Sequence, residues 1–262
     1  MTQWTTPQLL FFGMFLVLSS TSIGALPVLF IRDMSDKLKS LFLGLSAGIM
    51  LGATFFSLIM PALDLYEKNG QNSLESAVTV GFVMLLGAVL LFMVHQRLPH
   101  AHFYKKEDHD SRKWSQQMLV LFAVALHNFP EGVAVGVGMG SGQQDLGLTL
   151  SIAIALQDFP EGLIVALGLH TLGIGYKRIF FVTAMTGVIE AFGVPIGFIG
   201  VQIAESLLPL AFALCAGAML FVISHEIIPE SHRNNAERYA TSGIMGGFVV
   251  MMILDKGLSM LM

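Results

Sequence analysis

Two polar hexads, His127-Asn128-Phe129-Pro130-Glu131-Gly132 and Gln157-Asp158-Phe159-Pro160-Glu161-Gly162, stand thirty residues apart, each inside an apolar stretch. Imidazole, amide and carboxylate side chains are ligand types for divalent transition metals. The flanks repeat as well: between Phe122–Gly138 and Ile152–Gly168, nine of seventeen aligned positions are identical. On a helix, His127 and Glu131 share one face, as do Gln157 and Glu161. Asn128 and Asp158 sit about 100° round from their neighbours and can face a second, adjacent position. The pattern predicts a compact pair of cation sites, with Glu131 and Glu161 able to bridge them. Pro130 and Pro160 lack an N–H, so the Leu126 and Leu156 carbonyls are freed and both helices are expected to bend at the motif.

The elements that must position these groups are membrane spans. Of 262 residues, 54% are hydrophobic and 12% charged, with a mean hydropathy of +0.72; a soluble domain would be about a quarter charged. The expected fold class is all-α: a polytopic membrane protein of eight transmembrane helices, with a mid-membrane metal site on kinked helices 4 and 5. Eight spans can be drawn at about 8–31, 39–64, 75–96, 117–141, 146–172, 178–204, 207–231 and 239–261, as one domain over 1–262. The residues at 97–116 read as a His-containing cytoplasmic loop. The first thirty residues lack a basic region before their apolar run, so they read as a span, not a cleaved signal. Cys215 is the single cysteine, which excludes a disulfide within one chain and a cysteine-based metal cluster.

Charge placement sets orientation. Of fourteen Lys and Arg residues, twelve fall in the loops after spans 1, 3, 5 and 7; only Lys68 and Lys256 fall on the other side. The positive-inside bias puts both termini outside the cytoplasm, in an inner or plasma membrane. Glu131, Asp158, Glu161, Glu190, Glu226 and Glu230 lie within or near the spans, with no Lys or Arg embedded beside them. A charge at the bilayer centre costs ~2.5–3.5 kcal/mol or more, so such carboxylates must be protonated, paired or bound to metal. His127 and Glu131 come to lie roughly 15–21 Å into span 4 at a 1.5 Å rise per residue. Gln157 and Glu161 reach a similar depth from the other face, and Glu190 and Met50 also lie near mid-membrane.

The two hexads, their order on spans 4 and 5, and His225-Glu226-Ile227-Ile228-Pro229-Glu230 on span 7 resemble the ZIP family of Zrt/Irt-like divalent metal transporters, nearest its prokaryotic GufA-type branch. The resemblance covers the whole chain. It implies transport of a divalent metal into the cytoplasm by alternating access, with zinc the first choice and cadmium, iron and manganese as alternatives. It also implies a homodimer and an elevator-like displacement of spans 1, 4, 5 and 6 against spans 2, 3, 7 and 8. His127, Glu131, Gln157 and Glu161 resemble ligands of one ion, with Met50 as a soft ligand. Asn128, Asp158 and Glu190, with the bridging Glu131 and Glu161, resemble those of a second. Many members carry His-Asn where this chain has Gln157-Asp158. The exchange removes an imidazole and adds a carboxylate, which makes this half of the site harder and richer in oxygen.

Outside this constellation, His225, Glu226 and Glu230 are candidates for an exit relay, and Asp64 and Asp255 for an entrance. The run from His225 is not a zincin motif, since HExxH needs a second His where Pro229 stands. The expected partners are metal ions and the lipid bilayer, with no nucleic acid and no resident cofactor; no catalytic residue is assigned. An intramembrane metal-dependent hydrolase is the rival reading, weakened because nearly all the polar groups are used as ligands.

Overall fold

The computed structural model describes residues 5–30, 34–97, 128–142, 144–171, 173–203, 205–233 and 236–261. These form helical segments and no strand: α1 (Thr6–Gly24), α2 (Asp36–Lys68), α3 (Ser73–Arg97), α4 (128–140), α5 (Gln144–Thr171), α6 (Tyr176–Ile203), α7 (Leu208–Ser231) and α8 (Glu237–Leu261). Six of them, α1, α2, α3, α5, α6 and α7, are long and apolar enough to cross a membrane. The protein is an all-helical membrane protein. The 98–127 stretch, with nearly all of the expected 97–116 loop and His127 itself, lies outside the described residues.

Helix ends follow local chemistry. Ser35 accepts the Leu38 N–H ahead of α2. At α3, Asn72 Oδ1 accepts the Glu75 N–H at 3.0 Å while Glu75 Oε2 accepts the Asn72 N–H at 3.2 Å, a reciprocal cap. Beyond the end of α4, Gly142 takes φ +77°, which costs glycine no Cβ clash.

Two helices carry an irregularity that the spans drawn from sequence did not include. In α2 the segment Thr54–Ile59 is a π-turn closed by the Met60 N–H on Phe55 O; in α7 the segment Ile223–Ile227 is a π-turn closed by Ile228 N–H on Ile223 O. Each closes one residue before a proline, Pro61 or Pro229. A proline ring clashes with the carbonyl four residues back, and widening that turn makes room for it.

Packing sorts the helices into two groups. Glycine marks the closest approaches, where a Cβ would strike a facing backbone carbonyl. Gly162 (α5) meets Thr21 O (α1), Gly132 (α4) meets Glu190 O (α6), Gly48 (α2) meets Ile244 O (α8) and Gly217 (α7) meets Met84 O (α3). All of these close pairs fall within α1/α4/α5/α6 or within α2/α3/α7/α8. Across the groups, α5 lies along α2. The ends differ. On the side where α1 begins, one buried core joins both groups: Leu58, Val83 and Phe212 pack with Ala134, Val137, Leu150 and Val201. On the other side the cores are separate, Leu163, Leu167, Leu169 and Ile179 in one group and Leu43, Leu91, Val222 and Ile227 in the other. There, Phe42 leans on the first core and Ile164 on the second.

Candidate metal centre

In the first turn of α4 and mid-way along α5 and α6 the polar residues converge. Asn128, Glu131, Gln157, Asp158, Glu161 and Glu190 are all buried, with none more than 5% exposed. Glu131, Asp158 and Glu161 each offer a carboxylate oxygen, and these three atoms lie within 4.8 Å of one another. At metal–oxygen distances near ~2.0–2.2 Å, one ion reaches ligand atoms spaced this way. Three carboxylates gathered out of water repel one another, and a divalent cation removes that cost.

Glu190 lies beside this cluster on α6. Its Oε2 accepts from Asn128 Nδ2 at 3.2 Å and lies 3.5 Å from the Thr21 hydroxyl. Its Oε1, and the Asn128 amide oxygen, are buried with no partner among the described residues. Both are acceptors with open capacity, which suits ligation. Gln157 is fully buried and neither its amide oxygen nor its amide nitrogen has a partner among the described residues. Leaving such an amide unmatched costs roughly 1–3 kcal/mol, a cost that an ion on Oε1 offsets. The donor set of carboxylates and amide oxygens therefore fits a divalent ion.

The remaining sequence candidates are placed as follows. Met50 is fully buried on α2. It lies one turn beyond Ser46, whose hydroxyl reaches the Gln157 carbonyl at 3.5 Å, so its helix face is turned to α5. α5 runs as a helix through Pro160, which sits inside it. Glu226 lies 3.3 Å from His95 Nδ1 of α3, and the His95 and His225 rings meet edge to face at 5.0 Å. Glu230 is exposed and pairs with Arg233 at 3.2 Å, outside that cluster. Asp64 is exposed; Asp255 is paired with Lys256 at 3.4 Å.

Sequence reasoning missed three contributors. Ser20 donates to Asp158 Oδ2 at 2.9 Å, Thr21 reaches Glu190, and His95 near the end of α3 faces Glu226. The signal for the first two is the run Ser19-Ser20-Thr21-Ser22, four hydroxyls in an otherwise apolar span.

Comparison with known proteins identifies the family. The family model described as ZIP zinc transporter matches residues 8–117 and 100–255. The zinc transporter GufA of Myxococcus xanthus is 42% identical over 241 residues, covering 92% of this chain and 95% of the relative. The zinc transporter ZIPB of Bordetella bronchiseptica is 39% identical over 244 residues, covering 92% and 78%. The zinc transporter ZIP11 of Xenopus tropicalis is 30% identical over 292 residues, covering 82% and 87%. A buried carboxylate cluster on apolar helices and similarity along nearly the whole length lead to one assignment: the chain belongs to the ZIP zinc transporter family.

Proposed function

We propose that this protein carries a divalent transition metal, zinc foremost, across a cell membrane into the cytoplasm, by alternating access through two adjoining ion positions. Family membership makes it a transporter, not an enzyme, and removes the hydrolase reading; the metal is cargo, not a resident cofactor. The observation that carries the proposal is the buried triad Glu131, Asp158 and Glu161, with ligand atoms within 4.8 Å. One ion sits among His127, Glu131, Gln157 and Glu161, with Met50 as a soft ligand. The second sits among Asn128, Asp158 and Glu190, with Glu131 and Glu161 bridging. Four carboxylates carry a formal −4, which two divalent cations cancel.

Eight membrane helices with both termini outside, bent at Pro130 and Pro160, complete the reading, and the protein works as a homodimer. Cadmium, iron and manganese remain competing cargoes. The close glycine pairs support motion of α1, α4, α5 and α6 as one body against α2, α3, α7 and α8, since neither body must come apart. With the termini outside, the core shared by both bodies seals the outer side, and the separate cores face the cytoplasm. His95, His225 and Glu226 then stand at the cytoplasmic exit with Glu230 at its rim, and Asp64 and Asp255 at the outer edge. Purified protein in liposomes tests the proposal: zinc uptake is expected in the parent and its loss in Glu161→Ala. Equal uptake by well-folded Glu161→Ala protein would overturn it.

A further inference from the structure

No role as an ion ligand falls to α1, yet two of its hydroxyls touch ligand carboxylates. Ser20 Oγ donates to Asp158 Oδ2 at 2.9 Å, and Thr21 Oγ1 lies 3.5 Å from Glu190 Oε2. Thr21 is buried, and α1 is pressed against α5 and α6: Gly162 meets Thr21 O, and a Cβ at Gly187 would sit 3.3 Å from Thr21 Cβ.

We propose that Ser20 and Thr21 are positioning residues of the second ion position. They hold one named oxygen of each carboxylate, so that Asp158 and Glu190 each meet the ion through the other. This rests on the two-position reading above. Glu190 displays the arrangement directly: Oε2 takes Asn128 and Thr21, and Oε1 has no partner among the described residues. On Asp158 the same kind of contact falls on Oδ2, which accepts from Ser20. Each hydroxyl has one proton and two acceptors in reach, since Val17 O lies 3.1 Å from Ser20 Oγ and 3.0 Å from Thr21 Oγ1. Donation to an ionised carboxylate is the stronger choice. The Val17 carbonyl loses little by it, because a helical carbonyl keeps its main-chain partner. Groups that orient ligands in this way typically change metal affinity by about 10- to 100-fold when removed.

Ser20, Thr21, Asn128, Asp158 and Glu190 all belong to the α1/α4/α5/α6 body, whereas Met50 belongs to the other. The oriented second position therefore travels intact, and only the first position exchanges a ligand between bodies.

The test is calorimetric titration of the purified full chain in detergent with Zn2+, paired with thermal unfolding. The parent is expected to show two binding steps. Ser20→Ala weakens one step by roughly 10- to 100-fold and leaves the other within about threefold, at unchanged unfolding temperature. Thr21→Val weakens the same step by less, because its contact is longer, and Ser20→Thr restores the affinity. Two unchanged steps in both Ser20→Ala and Thr21→Val, equal weakening of both steps, or failure of Ser20→Thr to rescue would overturn the inference while sparing the two-position reading. A parent that binds fewer than two ions would instead sink that reading, and the inference with it.

Discussion

Adding one methyl group at Gly193 tests whether the contact between α4 and α6 sets the metal centre. A Cβ there would lie 2.7 Å from the Phe129 carbonyl oxygen and 2.8 Å from the Val133 nitrogen, where ordinary contact begins at 3.4 Å. In Gly193→Ala the two helices must part by a little over half an ångström, since main-chain atoms cannot rotate aside as a flexible side chain does. Such overpacking costs typically ~1–3 kcal/mol. The displacement falls where it matters. Gly193 is three residues from Glu190, and Phe129 lies between Asn128 and Glu131. The 3.2 Å bond from Asn128 to Glu190 spans the same gap and lengthens with it. We expect lower thermal stability and an apparent zinc affinity lowered about tenfold, read by unfolding and by uptake in proteoliposomes over a range of zinc concentrations. Gly200→Ala on the same helix is the control, because nothing lies within 4 Å of a Cβ there. Parent-like stability and affinity in Gly193→Ala would refute the reasoning, as would equal losses in both variants.

Glu161→Ala removes the bridging carboxylate and should abolish most uptake while the protein still folds, since it removes a charge from lipid depth; uptake and size-exclusion profiles check both halves. Gln157→His adds an imidazole and is expected to raise zinc affinity relative to manganese, because nitrogen ligands favour metals later in the Irving–Williams order; competition uptake with both ions reads the ratio, and an unchanged ratio would show that Gln157 does not contact metal. Metal must displace protons from its ligands, so apparent affinity should weaken as external pH falls from about 7.5 to 5.5. Simple competition leaves the maximal rate intact, and a flat profile in both parameters would contradict proton displacement.

The candidate site stood out in the sequence because lipid makes polar residues expensive: Asn128 through Gly132 and Gln157 through Gly162 are not expected in apolar spans for packing alone, and the structure brings their buried polar groups together. Helix rise and turn give the expected depth and shared faces of these residues. Glu190, alone on span 6, was found by the same argument. Helix partners were harder to read. Spans such as Leu208–Val222 are apolar on every side, so periodicity marks no inward face. Gly48 and Gly132 permit close helix contact, but nothing in the sequence says that α8 and α6 are the partners. The π-turns before Pro61 and Pro229 have no pattern of their own, since proline equally permits a kink. Ser20 carries no signal of its own in the sequence, since a hydroxyl in an apolar helix has a carbonyl of that helix within reach, here Val17 O at 3.1 Å. Only the three-dimensional meeting with Asp158 gives it a role.

Locating the bound ions tests the central claim most directly. Crystals grown with zinc and measured at its absorption edge should show two anomalous peaks on each chain, roughly 3.5–4 Å apart. Both should lie between α4 and α5, with Glu131 and Glu161 shared and Glu190 reaching only one. Peaks confined to the His95, His225 and Glu226 cluster or to the surface, with none against Glu131 and Glu161, would contradict the account.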